Sequence, residues 1–259
     1  MKKLKFVLMI LCICMGSAFA FADNSVQSPM SLYNDNYFIA GNYNQQGKIQ
    51  LSAKYNLFWP FDSGIYLGYT QLSHYIFYKE SDTFYTMYQP EIYYRFTSGS
   101  NPFNNFIIPG IDFFQASPYY HCSTGVEGAD HRMIQYYYWE VQSSIGTQYN
   151  VGANIRVFNY YSINDRNSDI NKYKKNYLAD IFFKINSEKV ANLSNYELHC
   201  KFEGNPLGYG YVEGELAFKL MTARIQPRLF IQVFHGYDEF MVNYNVKETS
   251  YRAGISFNE

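Results

Sequence analysis

Apolar and polar residues alternate along most of this chain with a period of two. The alternation is clearest in IQLSAKYNLFW. There Ile49, Leu51, Ala53, Tyr55, Leu57 and Trp59 share one side of an extended backbone, and Gln50, Ser52, Lys54 and Asn56 take the other. The same pattern predicts strands over 65–75, 88–96, 107–123, 135–145, 151–160, 177–185, 196–202, 212–220, 229–233 and 251–257, with a shorter one over 37–41. They follow one another through short links, at Asn150 and over 60–64, and longer ones over 79–86, 124–134 and 161–176.

Alternation alone fits a soluble sandwich as well as a membrane barrel, and the polar faces decide between them. They carry Glu91 and Arg95, Glu140, Arg156, Asp180 and Lys184, Glu197 and Lys201, and Glu213 and Glu215. Charges of both signs can pair inside a hydrated lumen while the apolar faces meet lipid. The expected fold is an all-β, transmembrane, antiparallel up-and-down β-barrel of about twelve strands, an even number as bacterial barrels have. No internal repeat or linker divides it.

Composition agrees. Aromatics make up 20% of residues, with 28 Tyr and 22 Phe, while only 17% are charged and the mean hydropathy is −0.30. Tyrosine, with an apolar ring and a polar tip, suits the boundary between lipid and water.

The first residues, MKKLKFVLMILCICMGSAFAFAD, read as a secretory leader over 1–22, cut after Ala20 or Ala22. A segment over 23–35 follows, then the barrel over 36–259. Beyond the leader no run approaches the roughly 18 apolar residues of a membrane helix. The formal charge is −1, and losing Lys2, Lys3 and Lys5 makes the mature chain more acidic, which excludes nucleic acid as a partner. Cys122 and Cys200 remain after cleavage, and strand parity places them on opposite faces, against a disulfide.

Candidate chemistry concentrates in YYHCSTGVEGADHRMIQYYYW over 119–139. Residues two apart on a strand point the same way, so His121 and Ser123 stand on one face, as a base and a nucleophile require. Parity extends that face back to Ile111 and Phe113. Gln135 lies fourteen residues after His121 and shares a face with Tyr137, Trp139 and Val141, so a hairpin can bring all three polar groups together. Gln71 is a second anomaly, a polar residue on an apolar face between Tyr69 and Ser73. Polar groups that face lipid are costly and tend to be paired or functional.

DNYFIAGNY, YTQLSHY, YQPEIYYRF, YYHCSTG, NSDINKY and LFIQVFHGYDEFMVNYN, in this order across nearly the whole mature chain, resemble the bacterial outer membrane phospholipase A family. The resemblance implies a twelve-stranded barrel in the outer membrane whose site lies on the outer wall near the outer leaflet. It also implies hydrolysis of phospholipid acyl esters, at sn-1 and sn-2 and in lysophospholipids. By motif position Ser123 is similar to the family's nucleophile and His121 to its general base, while Gln135 stands where the family more often has Asn.

The resemblance further implies calcium, bound between a loop like 124–134 of one protomer and a loop like 79–86 of a second, so that a homodimer is the active form. Ser81 or Asp82 fits the partner loop. The two ligand positions after the catalytic motif are occupied by Val126 and His131, which offer calcium only a carbonyl or a disfavoured ring nitrogen. Glu127 and Asp130 are alternative hard donors nearby. Gln71 matches a polar wall position where pairing with its copy across a two-fold axis would satisfy the amide. The family's barrels commonly end on an aromatic residue, whereas this chain ends Phe257, Asn258, Glu259, so the expected assembly signal is read from Phe257 or is weaker. Two other readings remain open from the residues: a passive barrel or narrow channel, and a family member that has lost catalysis.

Overall fold

The computed structural model describes residues 28–41, 46–59, 64–76, 84–97, 110–124, 132–145, 149–163, 165–185, 196–220, 225–237, 239, 241 and 244–258. The leader expected over 1–22 therefore lies outside the described residues. A two-residue bridge, β1 (Met30–Ser31), precedes β2 (Asn36–Gly41), β3 (Gln46–Asn56), β4 (Ile65–Ile76), β5 (Phe84–Thr97), β6 (Phe113–Thr124) and β7 (Met133–Ile145). Then come β8 (Tyr149–Ile163), β9 (Tyr177–Ile185), β10 (Tyr196–Gly204), β11 (Gly210–Lys219), β12 (Gln226–Tyr237) and β13 (Lys247–Asn258).

Each strand from β2 to β13 pairs antiparallel with its neighbours in sequence, and β13 pairs back onto β2 with Ser256 opposite Tyr37. Closure of these twelve strands removes every sheet edge, so the backbone can satisfy itself without water. An even strand count also returns both chain ends to one rim. Thr124, Ile163 and Tyr237, where β6, β8 and β12 end, lie at the opposite rim.

The charged residues of the polar faces converge on the lumen as expected. Arg156 pairs with Glu140 at 2.8 Å, and Lys201 with Glu215 at 2.6 Å and Glu213 at 3.3 Å. Arg228 bridges Asp35 and Glu197, Arg252 holds Glu239, and the Tyr138 hydroxyl donates to Glu91. Ahead of β2, the N-terminal segment turns into the lumen, where the Tyr33 ring stacks on Tyr93 with centroids 5.0 Å apart. The apolar faces, including Leu67, Ile92, Ile155, Val157, Ile181, Val212, Ile231 and Ile255, are exposed all round the barrel. In water such a band would be an aggregation surface, whereas in a bilayer it is the lipid contact. Cys122 is buried inside the barrel and Cys200 lies on the opposite parity, and the two do not form a disulfide.

Several sequence expectations need correction. Asn150 is not a link but the second residue of β8, and Leu57 to Trp59 form a turn rather than continuing β3. The strand expected from 107 begins at Phe113, with residues 107–109 outside the described residues and 110–112 irregular. The expected loop over 161–176 loses three residues to β8 and contains a 3-10 segment over Asp165–Lys172.

The parity of β6 also differs from expectation. Ile92 pairs with Tyr119 but Tyr94 pairs with Ala116, and on the other side Ser117 pairs with Tyr138 while Tyr120 pairs with Tyr136. One residue is extra on β6, a β-bulge centred on Pro118, which has no N–H to contribute to the ladder. Below the bulge the odd residues face inward. Gln115 is fully buried and bonded to Arg95, and Phe113 lies 4.4 Å beneath the Arg95 guanidinium. Above it the even residues Tyr120, Cys122 and Thr124 are the buried ones. Phe113 and Ile111 therefore do not share the face of His121 and Ser123, because the bulge exchanges the two faces between them.

Candidate active site

With the exchange made at Pro118, His121 and Ser123 stand on the outer wall with Tyr119. The strand is held from behind. Tyr120 stacks on Tyr136 at 4.6 Å and meets Tyr138 edge-on at 5.9 Å, and these rings belong to a buried cluster with Cys122, Ile134 and Phe158. Rings packed at such distances leave little rotamer freedom, so the backbone bearing the outward side chains is fixed.

The register sets His121 directly opposite Gln135, and Gln135 Nε2 lies 3.2 Å from His121 Nδ1. In this orientation the amide donates to Nδ1. A half-turn about its terminal carbon–carbon bond would bring Oε1 to the same place, where it would accept a proton from Nδ1 and leave Nε2 as the basic nitrogen. Gln thus reaches the ring despite its extra methylene.

Ser123 lies about 6.6 Å farther along the same face and is opposite Tyr88 on one side and Met133 on the other. Among the described residues it makes no hydrogen bond to His121. Such bonds are often formed only when substrate closes the site.

Two neighbours escaped the sequence reading. The Tyr119 ring lies parallel to the His121 ring within 6°, with centroids 6.3 Å apart, and so covers one flank of the imidazole. Ser162 lies opposite Gln135 from β8, in register beside a second irregularity. The first signal was available, since Tyr119 lies two residues before His121 on the same face. Ser162 depends on the pairing of β7 with β8, which no local motif announces.

Gln71 faces outward between Tyr69 and Ser73, as its parity predicts. Its amide is already satisfied within its own chain. The Tyr69 hydroxyl donates to Oε1 at 3.2 Å, Nε2 donates to Ser73 Oγ at 3.3 Å, and Ser73 is 3.1 Å from Thr86 Oγ1. A second copy is therefore not required to satisfy it. Tyr88 separates this ladder from Ser123, since it pairs with Gln71 on β4 and with Ser123 on β6.

All the positions considered as metal ligands, Ser81, Asp82, Val126, Glu127, Asp130 and His131, lie outside the described residues. Their donor chemistry divides cleanly. Ser81, Asp82, Glu127 and Asp130 offer the hard oxygens that calcium takes, whereas Val126 has only its carbonyl and His131 a ring nitrogen.

The class is defined by this combination: a closed barrel with an apolar outer belt, carrying the residue types of a serine hydrolase on its lipid-facing wall rather than in its lumen. A profile of the family described as phospholipase A1 matches residues 16–257. The chain belongs to the phospholipase A1 family, and it is a phospholipase.

Solved structures agree on the fold. An active-site mutant of outer membrane phospholipase A from Escherichia coli superposes with a TM-score of 0.70 at 21% identity, covering 92% of this chain and 95% of that one. Another structure of outer membrane phospholipase A from Escherichia coli gives 0.70 at 22% identity over 89% and 94%. The Salmonella typhi outer membrane phospholipase, a dimer with bound calcium, gives 0.69 at 22% identity over 89% and 92%. No curated protein sequence matches the chain.

Proposed function

We propose that this chain is a calcium-dependent outer membrane phospholipase A that cleaves acyl esters of phospholipids in the outer leaflet, at sn-1 and sn-2 and in lysophospholipids, and is active as a homodimer. The observation that carries the reading is the contact between His121 Nδ1 and the Gln135 amide on the lipid-facing wall, one strand step from Ser123. The link to the family and the likeness to a calcium-bound dimer support it.

Ser123 acts as nucleophile. Its Oγ attacks the ester carbonyl while its proton passes to His121 Nε2, and Gln135 holds the ring through Nδ1 without adding charge. The tetrahedral intermediate collapses to an acyl-serine, and His121 returns the proton to the departing lysophospholipid oxygen. Water then attacks the acyl-serine with His121 again as base, releasing the fatty acid and restoring Ser123. Calcium, held by oxygens such as those of Ser81 or Asp82 from one protomer and Glu127 or Asp130 from the other, would supply positive charge against the acyl oxygen. Gln71 lies on the wall where two protomers would meet. The site is nearer the rim opposite the chain ends, which supports an orientation toward the outer leaflet.

The test is release of fatty acid from phospholipid micelles by the wild type and by Ser123→Ala, with calcium and with a chelator. Release is expected from the wild type with calcium only, falling by roughly a thousandfold or more in Ser123→Ala. Release by Ser123→Ala at the wild-type rate would sink the assignment, and release unaffected by chelation would remove calcium from it.

A further inference from the structure

Two family-like words, NSDINKY and the end of LFIQVFHGYDEFMVNYN, have no part in the chemistry above, yet the structure brings them together beside the catalytic hairpin. Tyr244, from the second, is 3% exposed, and its hydroxyl donates to the Asp169 carboxylate from the first. The ring face of Tyr244 lies 5.6 Å from the Arg132 guanidinium carbon. Arg132 in turn closes the end of the β6–β7 hairpin, its carbonyl accepting from the Thr124 N–H at 2.9 Å and its own N–H donating to Thr124 Oγ1 at 2.8 Å. Thr124 directly follows Ser123.

The anchor is firm at its far end. Ile170, next to Asp169, is 2% exposed within the core cluster, and Tyr173 packs on Tyr209, Tyr237 and Tyr244. The Asn205 amide donates to the carbonyls of Lys172 and Lys174 at 2.7 and 3.0 Å. On the hairpin side, the Met241 N–H reaches Met87 Sδ on β5 at 3.2 Å.

We infer that Asp169, Tyr244 and Arg132 form a tether across the mouth of the barrel, and that Tyr244 is a positioning residue that fixes the hairpin end beside Ser123. It touches neither substrate nor the reacting atoms. This inference rests on the functional reading above. The tether explains why the two connections from β8 to β9 and from β12 to β13 carry specific residues although neither bears the nucleophile. Burial, and then the bond to Asp169 with its negative charge, push the Tyr244 hydroxyl up to about 12, so it remains a donor across the working pH range. A misplacement of about 1 Å at a reacting group can cost roughly a hundredfold in rate, so a tether of this kind acts on turnover more than on binding.

The test uses the full chain in detergent micelles with calcium, reading kcat and KM for dispersed phospholipid, thermal melting of the barrel, and hydrogen exchange at the Thr124 amide. Tyr244→Leu is expected to lower kcat about tenfold with KM and melting unchanged and with faster Thr124 exchange. Arg132→Leu should match it, Arg132→Lys should retain at least about half of kcat because a cation still covers the ring, and Arg132→Leu with Tyr244→Leu should be no worse than either alone. Tyr244→Phe and Asp169→Asn, which keep the packed ring, should each lower kcat about threefold and serve where Tyr244→Leu does not assemble.

A Tyr244→Leu or Tyr244→Phe enzyme with wild-type kcat, or losses that multiply in the double variant, would overturn the tether. If the wild type releases no fatty acid, the functional reading fails by itself. Thr124 exchange then still decides the tether, with faster exchange supporting it and unchanged exchange refuting it.

Discussion

Two polar clusters on the outer wall, separated by Tyr88, are built on opposite plans. On β4 and β5 the run Tyr69, Gln71, Ser73, Thr86 is a closed ladder in which each side chain bonds to the next. On β6 and β7 His121 and Gln135 are joined, while among the described residues Ser123 makes no bond to His121. A hydroxyl left without a partner in apolar surroundings costs on the order of 1–3 kcal/mol, a cost the closed ladder avoids.

That contrast can be broken by experiment. The largest effect is expected at His121→Ala, which removes the proposed base and should lower fatty acid release by roughly 10³ to 10⁴-fold while the barrel still migrates as a folded species on an unheated gel. A smaller loss, about a hundredfold, is expected for Gln135→Leu. That change keeps the bulk but no longer orients the ring, and Gln135→Asn should recover part of the rate if the shorter amide still reaches Nδ1.

Smallest of all is Gln71→Leu. It should shift the melting free energy of the monomer by less than about 1 kcal/mol, because Ser73 and Thr86 remain bonded to each other. Dimer formation should weaken, measured by crosslinking in detergent, while kcat of the crosslinked enzyme stays near wild type. If Gln71→Leu instead abolished turnover in a crosslinked dimer, the ladder would belong to the reacting site and the contrast would collapse.

Much of this was legible before any coordinates. Period-two alternation located the twelve strands, and parity sent Glu91, Glu140, Lys201 and Glu213 to the lumen and Gln71 to the wall, where they are found. A hairpin, with Gln135 fourteen positions after His121, let the two groups meet. Parity failed where its premise did. It counts faces along an unbroken pleat, and the extra residue at Pro118 lies where β6 faces Tyr93 on one side and Tyr137 on the other. Proline in the middle of a strand was the available warning. The partners of Gln71 were partly hidden for another reason: Thr86 lies on a different strand, and only the β4–β5 register brings it beside Ser73.

The sequence by itself determined the barrel, its lipid and lumen faces, the residue types of the site and the family, because each is written in local periodicity or in short contiguous words. Only the tertiary structure decided that the face bearing His121 and Ser123 is not that of Phe113, that Gln71 is satisfied within its own chain, and that Asp169, Tyr244 and Arg132 meet beside the hairpin. Those facts depend on registers between strands and on loops converging at one rim. They join residues as many as 112 positions apart, from Arg132 to Tyr244, and no periodicity along the chain encodes such a meeting.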